Sequence, residues 1–528
     1  MSTNETTAPF KGLSVQETSL LNKHWRKLWI CAAFILFILL GIWNLSAPPM
    51  WWDEGWTLSV ARNWVERGHY GRLQEGQPAP PGLEASFTYT AWVALSFKLF
   101  GVGIWQGRLP GVLFTAAALA LLYALTKRLY SHAIAIAALA VVLLLPMHPQ
   151  LHPLITGRQV LAEMPMFCYL LMGYLGLLLA LQGSVWYMIG AVLWWGIALI
   201  TKAQALPFWA ASLIIPLAVT LVSRQWRTAV VLGLGLVGSY GCSRGLLFLI
   251  RYVLQEQTLP ATAVIGLYEI TAFVMTAFNR LFALKMTLIW GLPTFAGLVF
   301  TGWSWLQEVR ARQHHEAASI VRLSLLMLTA SWYVWFVLFS VGVPRYLFPA
   351  IFFGSIFLAA LLFKLTGGFN LAMVLMQSGA AVRQLRLTRQ RLGALLAILI
   401  ITTTLPLTFL SVQRYYLNNS DFSASETADF LNTHAQADAV IETYESELHF
   451  LLHRRYHFPP DQAHVELNRR SLLGIETTVD YDALAADPDY LVVGEFAKGN
   501  ALYKDVLQTG QFRLAQQFGV YDIYQRVR

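Results

Sequence analysis

Apolar stretches of membrane-spanning length recur eleven times in this chain, at about 28–48, 109–126, 131–147, 164–182, 185–201, 205–222, 229–250, 286–302, 319–342, 347–363 and 394–412. A helix rises only about 1.5 Å per residue, so about 20 apolar residues are needed to cross a bilayer core. Lipid offers the backbone no hydrogen-bond partners, and repeated segments of this kind leave a helical bundle as the fold. The sequence therefore predicts a polytopic α-helical membrane protein with about 11 transmembrane helices.

Charge divides the chain in two. The formal net charge is +9, but residues 1–413 carry +16 and residues 414–528 carry −7. The basic residues sit in alternate loops: Lys127 and Arg128; Arg224 and Arg227; Arg310 and Arg312; Lys364 with Arg383, Arg386, Arg389 and Arg391. That is the positive-inside pattern, so the basic balance needs no nucleic-acid partner to explain it. It predicts a cytoplasmic N-terminal tail (1–27), a multi-spanning domain (28–413) with a large first outer loop (49–108), and a soluble extracytoplasmic tail (414–528). The first apolar run is long and Ser46-Ala47-Pro48-Pro49 makes a poor cleavage site, so the run reads as an uncleaved span rather than a signal peptide. Phe87–Phe100 is too short to cross and contains Lys98, so it reads as a helix lying in the outer interface. Cys31, Cys168 and Cys242 fall in apolar stretches, so no disulfide framework is implied.

The acidic tail alternates helical and strand patterns. A helix near Ser425–His434, strands near Ala439–Thr443 and Tyr490–Gly494, a helix near Ala501–Gln508 and a terminal strand pair predict a small α/β domain. Residues 366–393 read as a cytoplasmic connection.

Acidic residues are scarce before the tail, twelve in 413 residues, and eight of them map to outer segments. A transporter with a proton relay would place carboxylates in mid-span, and none is found there. Asp53 and Glu54 stand together in Trp51-Trp52-Asp53-Glu54-Gly55-Trp56, directly after the first span. Such a pair has two readings: first-turn acids of a helix running toward Arg67, or a general base with a neighbouring carboxylate that orients it. Glu163 opens another span, again as either a helix-start acid or a site residue. Lys202 and Arg345 are cations on the outer side, suited to an anion such as phosphate or to snorkelling toward head groups. Arg158 shares their side. Glu84, Tyr346, Tyr268 and Glu269 are further candidates for substrate contact. Gly233-Leu-Gly235-Leu-Val-Gly238 matches a dinucleotide fingerprint in form only, since it lies inside a span and suits helix packing instead. His148 and His152 have helical spacing, but Pro149 and Pro153 interrupt it, which disfavours a metal site there.

These residues, taken in order, resemble the C-type membrane glycosyltransferases. The resemblance covers roughly residues 28–360 and rests on the acidic pair after the first span, Pro80-Pro81 running into Leu99-Phe100-Gly101 and Arg108-Leu109, Arg158 with Glu163-Met164-Pro165, Thr201-Lys202, and Arg345-Tyr346-Leu347-Phe348-Pro349. By pattern the chain is most similar to the protein O-mannosyltransferases and the lipid A aminoarabinose transferases. The resemblance implies inverting transfer of a sugar from a polyprenyl-phosphate donor to an extracytoplasmic glycan, lipid or protein acceptor. Asp53 would be the base, Glu54 its neighbour and Glu163 the second acid, with Lys202, Arg345 and Arg158 on the donor phosphate. It also allows a divalent metal. Ala85 stands where the family often has lysine, and Ala203 replaces the usual glycine; both set the first loop and any metal role of Glu84 apart from the family pattern. The expected location is a bacterial plasma (inner) membrane. The other function classes are a transporter or flippase of a lipid-linked substrate and a noncatalytic relative with a binding role.

Overall fold

The computed structural model describes residues 28–527 apart from 29–31, 33, 48–49, 81, 83–84, 256–260, 312–315, 385–387 and 419–420. The expectations placed on the N-terminal tail and on Glu84 lie outside the described residues, as does Cys31. Eight helices are long and apolar enough to cross a membrane: Ile104–Leu129, Glu163–Gln182, Ala203–Val222, Trp226–Leu254, Ala277–Arg310, Ala317–Phe339, Pro344–Leu365 and Gln390–Tyr415. Each coincides with one of the eleven stretches read from sequence. Two others fold as shorter apolar helices, His132–Leu144 and Tyr187–Thr201, and the first lies only partly within the described residues. The connection 366–393 contains a helix, Leu371–Gln384, which the sequence pattern does not predict.

Six helices and one sheet position the site. Helix α1 (Trp52–Arg67) carries the acidic pair in its first turn, and α2 (Phe87–Phe100) has the limits the apolar run predicts. The others are α3 (Ile104–Leu129), α4 (Glu163–Gln182), α5 (Tyr187–Thr201) and α6 (Pro344–Leu365). Pro344 and Pro165 fall in the first turns of α6 and α4, where the missing N–H breaks no helical bond. α4 and α6 interlock through aromatic rings: Phe167 stacks on Phe352 at 4.6 Å and meets Phe348 edge-on at 5.2 Å. Such pairs add about 0.5–1.5 kcal/mol each beyond the area they bury. Phe167 is one turn from Glu163 and Phe348 one turn from Arg345, so this packing also fixes those two polar residues relative to each other. The glycine-rich stretch lies in the helix Trp226–Leu254. A Cβ at Gly235 would stand 2.9 Å from the Met188 side chain, so close helix packing accounts for it.

The C-terminal sheet has five strands, β1 (Val440–Thr443), β2 (Arg455–His457), β3 (Tyr490–Val493), β4 (Phe512–Phe518) and β5 (Tyr521–Arg526), in the order β2-β1-β3-β5-β4. β1 pairs parallel with β2 and β3, whereas β5 runs antiparallel to β3 and β4. The helix Ser423–His434 matches the tail helix read from sequence. Helices α7 (Ser446–Leu451) and α8 (Asp461–Leu473) and strand β2 escaped that reading. The central strands β1 and β3 are buried throughout, as expected for parallel strands covered on both faces.

This sheet unit is fastened to the loop that begins with α1. Trp52 Nε1 donates to the Tyr444 carbonyl at 3.1 Å, and its ring stacks on His464 of α8 at 4.7 Å. Arg62 donates to the carbonyls of Phe450 and Leu452 at 2.7 and 3.0 Å. Arg72 pairs with Asp461 at 2.6 Å and lies over the Trp56 ring. A Cβ at Gly55 would fall 2.2 Å from the Glu447 Cα, so the α1 and α7 backbones touch where only glycine fits.

Candidate active site

Successive residues of a helix point about 100° apart, and that rotation separates the acidic pair. Glu54 turns inward. Its two oxygens accept from Arg108 Nε at 2.6 Å and Nη2 at 2.8 Å, with both side chains fully buried. One oxygen also accepts from the Val160 N–H at 3.3 Å, and the other reaches back to the Trp51 N–H at 3.2 Å. Arg108 Nη1 donates in turn to the Leu45 carbonyl at 3.0 Å. The helix-start reading thus applies to Glu54, which ties α1 to α3 and to the 157–161 segment. Sequence reasoning noted Arg108 as part of a motif but gave it no role; a lone arginine ahead of an apolar span was the available signal.

Asp53 turns the other way and remains 45% exposed at its side chain. Its Oδ2 meets Arg345 Nη1 at 2.5 Å. Arg345 Nε donates to Glu163 Oε1 at 2.6 Å, and Lys202 Nζ donates to the same oxygen at 2.6 Å. An unbroken ion chain, Asp53–Arg345–Glu163–Lys202, therefore joins residues 292 positions apart in sequence. Each link sits at a helix end: Asp53 in the first turn of α1, Glu163 and Arg345 at the starts of α4 and α6, and Lys202 just past α5. Within the chain two carboxylates balance two cations. Glu163 is covered, both cations keep 16% of their side-chain surface, and Asp53 is the most exposed link. Glu163 Oε2 is buried with no hydrogen-bond partner among the described residues. Thr201 lies against α2, with its hydroxyl 2.6 Å from that of Thr88.

The remaining candidates lie elsewhere. Arg158 Nη2 donates to the carbonyls of Trp43 and Asn44 at 2.8 and 2.6 Å, bracing the end of the first apolar segment. Tyr346 follows Arg345 but sets its ring edge-on to Trp335, while its carbonyl accepts from Trp332. Glu269 pairs with Arg469 of α8 at 3.0 Å, and Tyr268 is exposed beside it. His148 and His152 accept from the backbone N–H groups of Gln150 and Leu154 as turn caps. Among the described residues no group of three or more His, Cys, Asp or Glu side chains is set to hold a metal.

Residues 86–243 match the family described as dolichyl-phosphate-mannose-protein mannosyltransferase. No curated protein matches the sequence. Among solved structures, the fold is similar to ArnT from Cupriavidus metallidurans bound to undecaprenyl phosphate, at 15% identity and a TM-score of 0.62 over 94% of this chain and 98% of that one. It is also similar to the Archaeoglobus fulgidus oligosaccharyltransferase tethered to an acceptor peptide, at 11% identity and a TM-score of 0.52 over 96% of this chain and 74% of that one. The archaeal enzyme AglB in complex with an inhibitory peptide and dolichol-phosphate has 11% identity and a TM-score of 0.50, over 96% of this chain and 75% of that one. The chain therefore has the fold of the C-type membrane glycosyltransferases, and its segment 86–243 carries a mannosyltransferase-family sequence signature.

Proposed function

We propose that this protein transfers a sugar, with inversion, from a polyprenyl-phosphate donor to an extracytoplasmic acceptor, with Asp53 as the general base. The observation that carries this reading is the ion chain Asp53–Arg345–Glu163–Lys202, which ends in a reachable carboxylate beside two cations. The similar folds solved with undecaprenyl phosphate and with dolichol-phosphate support a lipid-phosphate donor.

In the proposed reaction the donor phosphate engages Lys202 and Arg345. That new pairing competes for the guanidinium and releases Asp53 toward the acceptor hydroxyl. The hydroxyl oxygen attacks the anomeric carbon from the face opposite the phosphate, and its proton passes to the Asp53 carboxylate. The carbon–oxygen bond to phosphate breaks, and the electron pair leaves with the polyprenyl phosphate, whose charge the two cations stabilise. Glu163 holds the cations in place between turnovers. Glu54 acts through position rather than chemistry, since Arg108 occupies both its oxygens. The proposed topology puts the C-terminal sheet unit (414–528) outside the plasma membrane and the N-terminus in the cytoplasm.

The deciding experiment is transfer from a polyprenyl-phosphate sugar by purified protein in lipid. Asp53→Asn is expected to lower turnover by about 10²–10⁴-fold, the usual weight of a general base, while donor binding stays within about twofold. Full turnover by this variant would remove Asp53 from the base role.

A further inference from the structure

A partly open cavity lies where α1, the 148–159 segment and the C-terminal sheet unit meet. It is a cavity of about 440 Å³, within the range of small-molecule sites. Its wall includes Trp51, Gln150, Gln159, Glu447, Glu495 and Phe496. Trp52 also lines it, and the next residue is Asp53.

Glu447 is the informative group. It is 3% exposed. Its Oε1 accepts from the Tyr521 hydroxyl at 2.6 Å, which fixes the carboxyl in place. Its Oε2 has no hydrogen-bond partner among the described residues. A buried oxygen left unsatisfied is unfavourable, so a fixed acceptor of this kind on a cavity wall suits a ligand that brings donors. Trp51 and Phe496 add an aromatic corner, their rings edge-on at 6.2 Å.

The lining selects among ligand chemistries. Phosphate does not fit: Glu447, Glu495 and Asp421 would repel it, while Arg108 is held by Glu54 and Arg158 donates to the carbonyls of Trp43 and Asn44. An alkyl chain does not fit either, because it offers nothing to a buried carboxyl. A sugar ring offers both what the carboxyls need, in its hydroxyls, and what the aromatic corner needs, in its C–H face.

We propose that this cavity is an acceptor subsite for one sugar ring, with Glu447 and Glu495 receiving its hydroxyls and Trp51 and Phe496 carrying its apolar face. The inference deepens the glycosyltransferase reading and rests on it: the acceptor is a glycan, seated at the N-terminal end of α1, whose second residue is Asp53. A soluble oligosaccharide and a glycolipid head group present the same chemistry.

The test is calorimetric titration of the full chain in lipid nanodiscs with methyl β-glucoside, methyl α-mannoside and glucosamine. At least one sugar is expected to bind in the millimolar range or tighter. Glu447→Gln keeps an acceptor for Tyr521 but replaces the free oxygen, and is expected to weaken binding about tenfold. Val520→Trp adds bulk at an exposed position on the cavity wall and is expected to abolish binding, which keeps the test decisive if the buried variant fails to fold. Asp53→Asn is expected to bind sugar like the wild type. Tighter binding of the same sugar carried on diacylglycerol in the nanodisc supports a glycolipid source, and equal binding supports a soluble one. The subsite is overturned if no sugar of the panel binds the wild type, or if Val520→Trp binds within twofold of it. Turnover by Asp53→Asn would sink the base assignment instead, leaving the binding result standing.

Discussion

At the scale of single residues, neighbouring carboxylates of the same charge have come to do different work because one helical step turns them to different surroundings. Arg108→Ala would leave Glu54 fully buried without its cation. The expected loss is about 3–5 kcal/mol, read as a lowered unfolding temperature in detergent. Arg345 spans two carboxylates through separate nitrogens, Nη1 to Asp53 and Nε to Glu163. A lysine has one charged centre and cannot hold both. Arg345→Lys is therefore expected to lower kcat/KM for the proposed polyprenyl-phosphate donor by about 10–100-fold, the weight of one charge-assisted hydrogen bond; wild-type kinetics would remove Arg345 from the proposed donor site. The pair Asp53-Glu54, Glu163, Lys202 and Arg345 were all legible in the sequence, because charged residues are costly near apolar spans and stand out there. Which carboxylate was reachable was not legible, since burial depends on partners such as Arg108, 54 positions away.

Among elements, α1 is the piece on which both halves of the molecule act. Its first turn carries Asp53, its Gly55 touches α7, and its Trp52 donates to Tyr444 and stacks on His464. Gly55→Ala places a methyl group 2.2 Å from the Glu447 Cα, a backbone atom that cannot move aside locally. We expect the variant to insert in the membrane yet lose at least about 1–3 kcal/mol of stability, as overpacking does, with turnover falling as α1 shifts. Equal melting temperatures and rates for variant and wild type would show that α1 and α7 are not rigidly joined. The long spans were read well because apolar length is a local property. By contrast, α7, α8 and β2 were missed: they are short, mixed in polarity and stabilised mainly by tertiary contacts, for example Arg72 on Asp461.

For the molecule as a whole, the acidic sheet unit presses carboxyls into a buried joint. Burial raises the proton affinity of Glu447, and burial together with repulsion from Glu447 raises that of Glu445, both above the ordinary value of 4.5. The folded state therefore binds more protons than the unfolded chain once pH exceeds about 4.5, so stability falls as pH rises through the range toward neutrality and slightly beyond. Buried His449 and His464, whose proton affinity burial lowers, act in the opposite sense below about pH 6.5, so the expected measurement is a difference: between pH 5 and pH 8 the wild type loses melting temperature relative to Glu447→Gln. Parallel curves for the two proteins would contradict the effect of burial on Glu447.

The sequence by itself determined the helical class, apolar stretches that include all eight long spans, the acidic C-terminal α/β unit and the charged residues proposed for the site, because each follows from local hydropathy or from the cost of charge beside lipid. Only the tertiary structure decided which of those charges meet. The ion chain joins four helix ends through side-chain geometry, and the cavity at Trp51 takes part of its wall from Glu447, Glu495 and Phe496 of the C-terminal unit. No local pattern encodes such meetings, because they depend on how packed helices such as α4 and α6 are held in register by Phe167, Phe348 and Phe352.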